Sequence, residues 1–184
     1  MRIISGECRG RKLVQIQGRD IRPTSDRVRE ALFNIIGPAI RGWRVLDLFA
    51  GTGAFGLEAL SRGADAAVFV ELAQSSCTVI NKNIDLCRMK ERTTLVRHDL
   101  VTRPLPRSLG SFDLVFMDPP YEKGHAETVL AKEGFIDLLN PGAIVIVEQS
   151  FKESLANPLN RLDIYRQKKY SKTFVSFLRE SESQ

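Results

Sequence analysis

Asp118-Pro119-Pro120-Tyr121 ends the apolar run of DLVFMDPPY (113–121), and its residue types suit one kind of chemistry. An apolar strand delivers Asp118 to a crevice. The proline pair stiffens the exit, so the Asp118 carboxylate, the Pro119 carbonyl and the Tyr121 ring keep a fixed relation. Two hydrogen-bond acceptors and an aromatic plate fit a planar ring bearing an amino group. Such an amine on a nucleobase is a poor nucleophile, because its lone pair is delocalised into the ring. If Asp118 and the Pro119 carbonyl each accept one N–H, the lone-pair direction is aimed at an incoming methyl group and the charge developing on nitrogen is stabilised. Tyr121 would stack on the base, an interaction worth roughly 1–3 kcal/mol in single-stranded sites. The plainer reading is a strand-ending Asp-Pro turn with Tyr121 as packing.

A second motif bears on the cofactor. Gly51-Thr52-Gly53-Ala54-Phe55-Gly56 matches the G-x-G-x-x-G loop that opens a helix after a strand and rests a pyrophosphate on the helix N-terminus. Asp47, near the end of the preceding strand, would point a carboxylate into the same crevice and repel a pyrophosphate. S-adenosylmethionine, with an α-ammonium and a sulfonium, would be favoured there and brings its own electrophile. The candidate contacts are Asp47, Phe49, Gly51, Thr52 and Gly53, with Asp47 facing the ammonium directly or through a water; a capping or loop carboxylate is the alternative. Glu71, at the end of AAVFVE, is placed to accept both ribose hydroxyls, a role shared with nicotinamide sites. Asp99, in RHDL, is placed to accept the adenine amine, although Asp after a strand is also a common turn residue.

Alternating strands and helices must hold these residues. Strands are expected over 44–49, 66–71, 93–97, 112–117, 143–148, 163–168 and 173–179. Helices are expected over 55–62, 74–88 and 126–139, with a short piece after Ser150. The alternation specifies a mainly parallel sheet covered on both faces, with ligands at the carboxyl ends of its strands. The last two strands have no helix between them and should pair antiparallel. Upstream, RIISGECRGRKLVQIQ reads as a small β-hairpin turning around Gly6 and Gly10. In RPTSDRVREALFNIIGPAI, Thr24 or Ser25 would cap a helix with Val28, Ala31, Leu32 and Ile35 on its apolar face, weakened or ended by Gly37-Pro38. One domain is expected over 1–184, with a hairpin-and-helix appendage over 1–40, a core over 41–180 and a frayed tail.

With 184 residues, 43% hydrophobic and 27% charged, the chain is large and apolar enough for one well-buried core. No apolar run approaches the roughly 18 residues of a membrane helix, and charges interrupt MRIISGECRGRKL before a signal-peptide core could form. A soluble, cytoplasmic protein without membrane partners is expected. Cys8, Cys77 and Cys87 lack C-x-x-C spacing, which suits free thiols, and with two isolated histidines no metal site is expected. The net charge is +5, and residues 1–30 carry eight cations against four carboxylates. A solvated face is the bland account of that excess. A phosphate-binding surface is the sharper one, since clustered arginines release counterions from nucleic acid and bind phosphate in a forked geometry.

VLDLFAGTGAFGLEALSRGA, VFVE, DLVFMDPPY and VIVEQS resemble the core of the class I S-adenosylmethionine-dependent methyltransferases. Asp-Pro-Pro-Tyr is similar to the motif of those acting on adenine N6, cytosine N4 or guanine N2. SGECRGRKL followed by RPTSDRVREALFNII resembles, over nearly the whole chain, the bacterial small-subunit (16S) ribosomal RNA guanine-N2 methyltransferases. The resemblance implies an α/β, Rossmann-like fold with a seven-stranded, mainly parallel sheet and an antiparallel final strand. It also implies methyl transfer from S-adenosylmethionine to a guanine N2 of 16S ribosomal RNA, with a partly assembled small subunit as one form of the substrate; a monomer is expected.

Carried over by position, Asp118, Pro119, Pro120 and Tyr121 would form the catalytic motif, Gly51 and Gly53 the cofactor loop and Glu71 the ribose ligand. Arg22, Thr24, Asp26, Arg27 and Arg29 would lie at the substrate mouth, and all of these but Asp26 join Arg9, Arg11 and Lys12 as the candidate RNA contacts. Ser171 stands where glycine is expected, and Glu148 suits either a supporting or a capping role. Three alternatives stand beside this reading. A DNA amino methyltransferase acting on adenine N6 or cytosine N4 would usually carry a recognition domain, whereas only about 40 residues lie outside the core; such an appendage suits RNA shape recognition. An NAD-dependent oxidoreductase leaves Asp47 and Asp-Pro-Pro-Tyr idle. A non-catalytic RNA-binding module leaves the same motif unused.

Overall fold

The structure is a computed structural model, and it describes residues 1–16 and 26–181. Seven strands, β1 Arg44–Leu48, β2 Ala66–Glu71, β3 Thr93–Arg97, β4 Phe112–Met117, β5 Leu139–Ser150, β6 Leu162–Tyr170 and β7 Thr173–Glu180, form one sheet in the order β3-β2-β1-β4-β5-β7-β6. The first five are parallel, while β7 runs antiparallel to both β5 and β6. The inner strands are apolar on both sides, as a sheet covered on both faces requires.

Strand alternation divides the core into two layers. Val45, Phe69, Leu114, Phe116 and Ile146 pack beneath three helices, α1 Asp26–Ile36, α2 Ala54–Ser61 and α3 Gln74–Cys87. Leu46, Val70, Val115, Met117 and Val147 face α4, His125–Leu130, and the neighbouring loops. The same alternation puts Asp47, Asp118 and Glu148 on the α1–α3 side at the carboxyl edge.

Three expectations change. The segment 1–16 makes one antiparallel bridge, Arg2 to Lys12, and not a hairpin of two strands. The self-pairing is short, with Ile3 N donating to Arg11 O at 3.0 Å, Gly10 N to Ile3 O at 2.8 Å and Leu13 N to Met1 O at 3.3 Å, and other backbone donors are spent on the core. Ile4 and Ser5 amides donate to the buried Glu58 carboxylate at 2.7 and 3.0 Å, Glu7 N to Ser61 O at 2.9 Å, and Cys8 N to Ser61 Oγ at 3.0 Å. The segment is therefore a strap lying across α2. Secondly, α4 is much shorter than the 126–139 expected: it stops at Leu130, Gly134 beyond it is left-handed (φ 80°), and β5 begins at Leu139. Thirdly, no helix follows Ser150 among the described residues.

Arg29 also departs from its expected place at an RNA surface. It is 1% exposed, and its guanidinium meets the Arg2 carbonyl, the Asp26 carboxylate at 3.0 Å and the Glu58 carboxylate at 3.8 Å. The strap and α2 close over the face of α1 that carries it. The expected cap at Thr24 or Ser25, and Arg22, lie outside the described residues. The turn between β6 and β7 forms with Ser171 itself left-handed (φ 53°). All three cysteines are free and buried, and no helix among the described residues is long and apolar enough to cross a membrane.

Candidate active site

Between β4 and α4, half-buried Asp118 is followed by buried Pro119, exposed Pro120 and half-buried Tyr121. Glu148, one step beyond the paired Met117 and Val147, is 3% exposed and accepts the Tyr121 hydroxyl at Oε1, 3.3 Å away. The tyrosine ring is thus tethered at its far end, beside the strand that delivers Asp118. Below them, Phe116 stacks on Phe55 of α2 with centroids 3.8 Å apart, and Phe55 stacks on Phe33 of α1 at 4.8 Å. This column fixes the end of β4 against the two helices. On the α4 side, a cavity of about 380 Å³ opens beside Pro119, bordered by Glu122, Ala126, Gln149 and Leu155.

The loop after β1 is shaped by left-handed residues, Phe49 (φ 57°), Gly51 (φ 56°) and Gly53 (φ 72°), the last leading into α2. Gly56 serves packing, since a Cβ there would sit 2.4 Å from the Phe69 ring. Asp47 is 2% exposed, and its Oδ2 accepts the Gly56 amide at 3.0 Å. Burial pushes its pKa up to about 8; the Gly56 bond opposes the rise and the Glu71 charge adds to it. Asp47 therefore braces the loop from beneath as well as placing a potential negative charge under it.

Glu71 joins two loops. Its Oε2 accepts Gly51 N at 2.9 Å, and its Oε1 accepts Leu72 N and Ala73 N at 2.9 and 2.8 Å. Asp99 makes a local turn: Oδ1 accepts Val101 N and Thr102 N, and Oδ2 accepts the Thr102 hydroxyl at 2.6 Å. The Thr102 hydroxyl, then the amides of Thr102 and Val101, hold its pKa down at about 2. A carboxylate offers about four acceptor sites, so one remains on Oδ2. A cationic nucleoside cofactor fits this donor set: Glu71 at the end of β2 suits hydroxyls, and the buried Asp47 suits a positive charge.

Thr52 gives its carbonyl to the Asn83 side chain at 2.9 Å, and Asn83, fully buried in α3, also pairs with both backbone groups of Val14. The strap and the glycine loop therefore share one amide. Arg9, Arg11 and Lys12 are exposed on the strap, with Arg11 reaching the Leu86 carbonyl, and Arg27 is exposed on α1. The tether of Tyr121 to Glu148, the Asn83 bridge and the near-parallel rings of Phe49 and His125, 6.4 Å apart, escaped the sequence reading. Each depends on contacts distant in sequence. For Glu148, position at a strand end beside Asp118 was the one signal.

Dinucleotide-binding sheets of this kind run 3-2-1-4-5-6. Here a seventh strand enters antiparallel between β5 and β6, and this order is that of a class I S-adenosylmethionine-dependent methyltransferase. Within that class, the chain belongs to the family described as conserved hypothetical protein 95, whose model matches residues 1–179. It is 36% identical over 162 residues to ribosomal RNA small subunit methyltransferase D of Haemophilus influenzae, covering 87% of this chain and 84% of that one. The protein of the same name from Escherichia coli is 35% identical over 168 residues, covering 91% and 84%. The solved structure of yhhF from Escherichia coli superposes with a TM-score of 0.82 at 31% identity, covering 98% of each chain.

Proposed function

We propose that this chain transfers a methyl group from S-adenosylmethionine to the exocyclic N2 amine of a guanine in small-subunit (16S) ribosomal RNA. The observation that carries the reading is the Tyr121–Glu148 tether beside Asp118, which holds an aromatic plate and a carboxylate at one strand edge. The relatives named for small-subunit ribosomal RNA support the substrate. The cofactor supplies the electrophilic methyl group. Asp118 and the Pro119 carbonyl accept the two N–H bonds of the amine and orient its lone pair. Tyr121, held by Glu148, stacks on the base, which must leave its helix or already lie in a loop. As the N–CH3 bond forms, the sulfonium's S–CH3 bond would break to leave a neutral thioether, and the surplus proton on the nitrogen would pass to solvent by way of the Asp118 carboxylate.

Glu71, with three of its acceptor sites on the Gly51, Leu72 and Ala73 amides, offers the remaining one to a ribose hydroxyl, Asp99 offers its remaining site to the adenine amine, and Phe49, Gly51, Thr52 and Gly53 line the cofactor. Asp47 lies under the cofactor's positive charge and at the same time braces Gly56. Residues 1–40 serve as the RNA platform of a single domain, through exposed Arg9, Arg11, Lys12 and Arg27, with Arg22 and Thr24 as further contacts by resemblance. Every reacting group comes from one chain, so a monomer suffices, working in the cytoplasm where subunits assemble. The test offers methyl-labelled cofactor with unmethylated small subunits, their naked RNA and duplex DNA. Label in either ribosomal substrate supports the reading; label confined to DNA replaces it with a DNA amino methyltransferase.

A further inference from the structure

The β6–β7 hairpin carries a charge that the proposed chemistry does not use. Residues 161–180 hold Arg161, Arg166, Lys168, Lys169, Lys172 and Arg179 against two carboxylates, Asp163 and Glu180, an excess of four. Arg161 is paired with Glu180. Among the described residues, Arg166, Lys168, Lys169 and Lys172 form no salt bridge, although all four are exposed. They lean on aromatic faces instead: Arg166 lies 6.0 Å from the centre of Phe177, and the Lys169 ammonium lies 5.7 and 5.9 Å from Phe151 and Phe174. Phe151 is itself 43% exposed. Phe174 is half-buried and Phe177 belongs to the core, so the surface is a row of exposed cations with one exposed ring at its end, the composition of a surface that tracks a single nucleic-acid strand.

The register places this surface beside the site. Glu148 pairs with Val175, and Val175 pairs with Lys168, so Lys168 shares the face and level of Glu148. At about 4.8 Å per strand, Lys168 lies roughly 10 Å from Glu148 and 14 Å from the end of β4. The hairpin turn reaches the same carboxyl edge, where Ser150 pairs with Thr173 and Phe151 N donates to Lys172 O at 3.0 Å. The strap lies toward the other end of the sheet, against α3, with β4 between. Lysines also protect exposed edge strands from pairing with other chains, and β6 is such an edge. That role explains neither the lysine on the turn nor the exposed phenylalanine beyond it.

We infer that the β6–β7 hairpin is a second RNA-binding surface, gripping the phosphates of the strand that carries the target base, opposite the strap across the site. The inference rests on the ribosomal RNA reading above. Its test compares Lys168→Gln/Lys172→Gln with Arg41→Gln/Arg44→Gln, an equal loss of charge at the exposed amino edge of β1. Binding of naked small-subunit RNA is measured from low to moderate salt, with cofactor affinity and thermal unfolding as checks on folding. Each single-strand phosphate contact contributes about 0.7 to the log–log salt slope, so the hairpin variant should lose about 1.4 and bind roughly tenfold more weakly near 0.1 M salt. Turnover at saturating RNA and cofactor affinity should stay within about twofold. An unchanged slope, or the same loss in the amino-edge variant, overturns the inference. A wild-type protein that neither binds nor methylates this RNA overturns the substrate reading and this surface with it.

Discussion

Asp118 and Asp47 are two carboxylates on one face of the sheet to which the proposed chemistry gives opposite duties, and replacing them should separate chemistry from cofactor binding. Asp118→Ala removes an acceptor for the substrate amine; turnover should fall by at least about 100-fold, the scale of losing one electrostatic contact to a transition state. Cofactor affinity, measured by calorimetry, should stay within a few fold. Asp47 sets a pH dependence. Without cofactor it keeps its proton up to about pH 8, because burial disfavours the anion. A cation above it favours the anion, so cofactor binding expels a proton, and affinity should rise as pH climbs toward 8 and level off above it. The same raised pKa means that the group's contribution to stability is full below the ordinary carboxylate range and is lost as pH rises through about 8. Asp47→Asn keeps an acceptor for Gly56 N and should flatten the affinity profile. A mutant profile as steep as that of the wild type would remove Asp47 from the account.

At the level of elements, the strap is held by the buried Glu58 carboxylate, which accepts two strap amides and the Arg62 guanidinium at 2.7 Å and faces Arg29 at 3.8 Å. Glu58→Ala leaves Arg29 with less compensation and should cost about 3–5 kcal/mol in chemical denaturation; a cost under about 1 kcal/mol would mean that the strap is not anchored there. Ser171→Gly should stabilise the hairpin by roughly 1 kcal/mol, since Ser171 holds a left-handed conformation that costs a side-chain-bearing residue about that much. A melting temperature unchanged or lowered would contradict it. Elements are readable where local pattern suffices: β2, β3 and β4 begin and end at the residues expected from the sequence. The α4 region differs because AETVLAKEGFIDLL keeps helical spacing through Gly134, whereas the helix stops at Leu130 and Gly134 is left-handed. Arg29 misled because its burial depends on the strap and α2, which are distant in sequence.

Across the whole molecule, charge is arranged more evenly than a linear scan suggests. The N-terminal 30 residues are rich in cations, yet the last hairpin carries as large an excess, and the sheet sets the strap and that hairpin on either side of β4. The seven strands and the antiparallel ending were legible from alternation. The insertion of β7 between β5 and β6 was not, because strand order is a matter of long-range pairing. Both motifs that carry chemistry are contiguous, which is why GTGAFG and DPPY could be found without a fold. Glu148 could be located but not interpreted until Tyr121 was seen against it. The most direct measurement is the identity of the modified nucleoside after methyl-labelled S-adenosylmethionine has reacted with unmethylated small ribosomal subunits and the RNA has been digested. The label should run with N2-methylguanosine and vanish with Asp118→Ala; label in any other nucleoside, or label that survives that substitution, would contradict the placement of a guanine amine against Asp118.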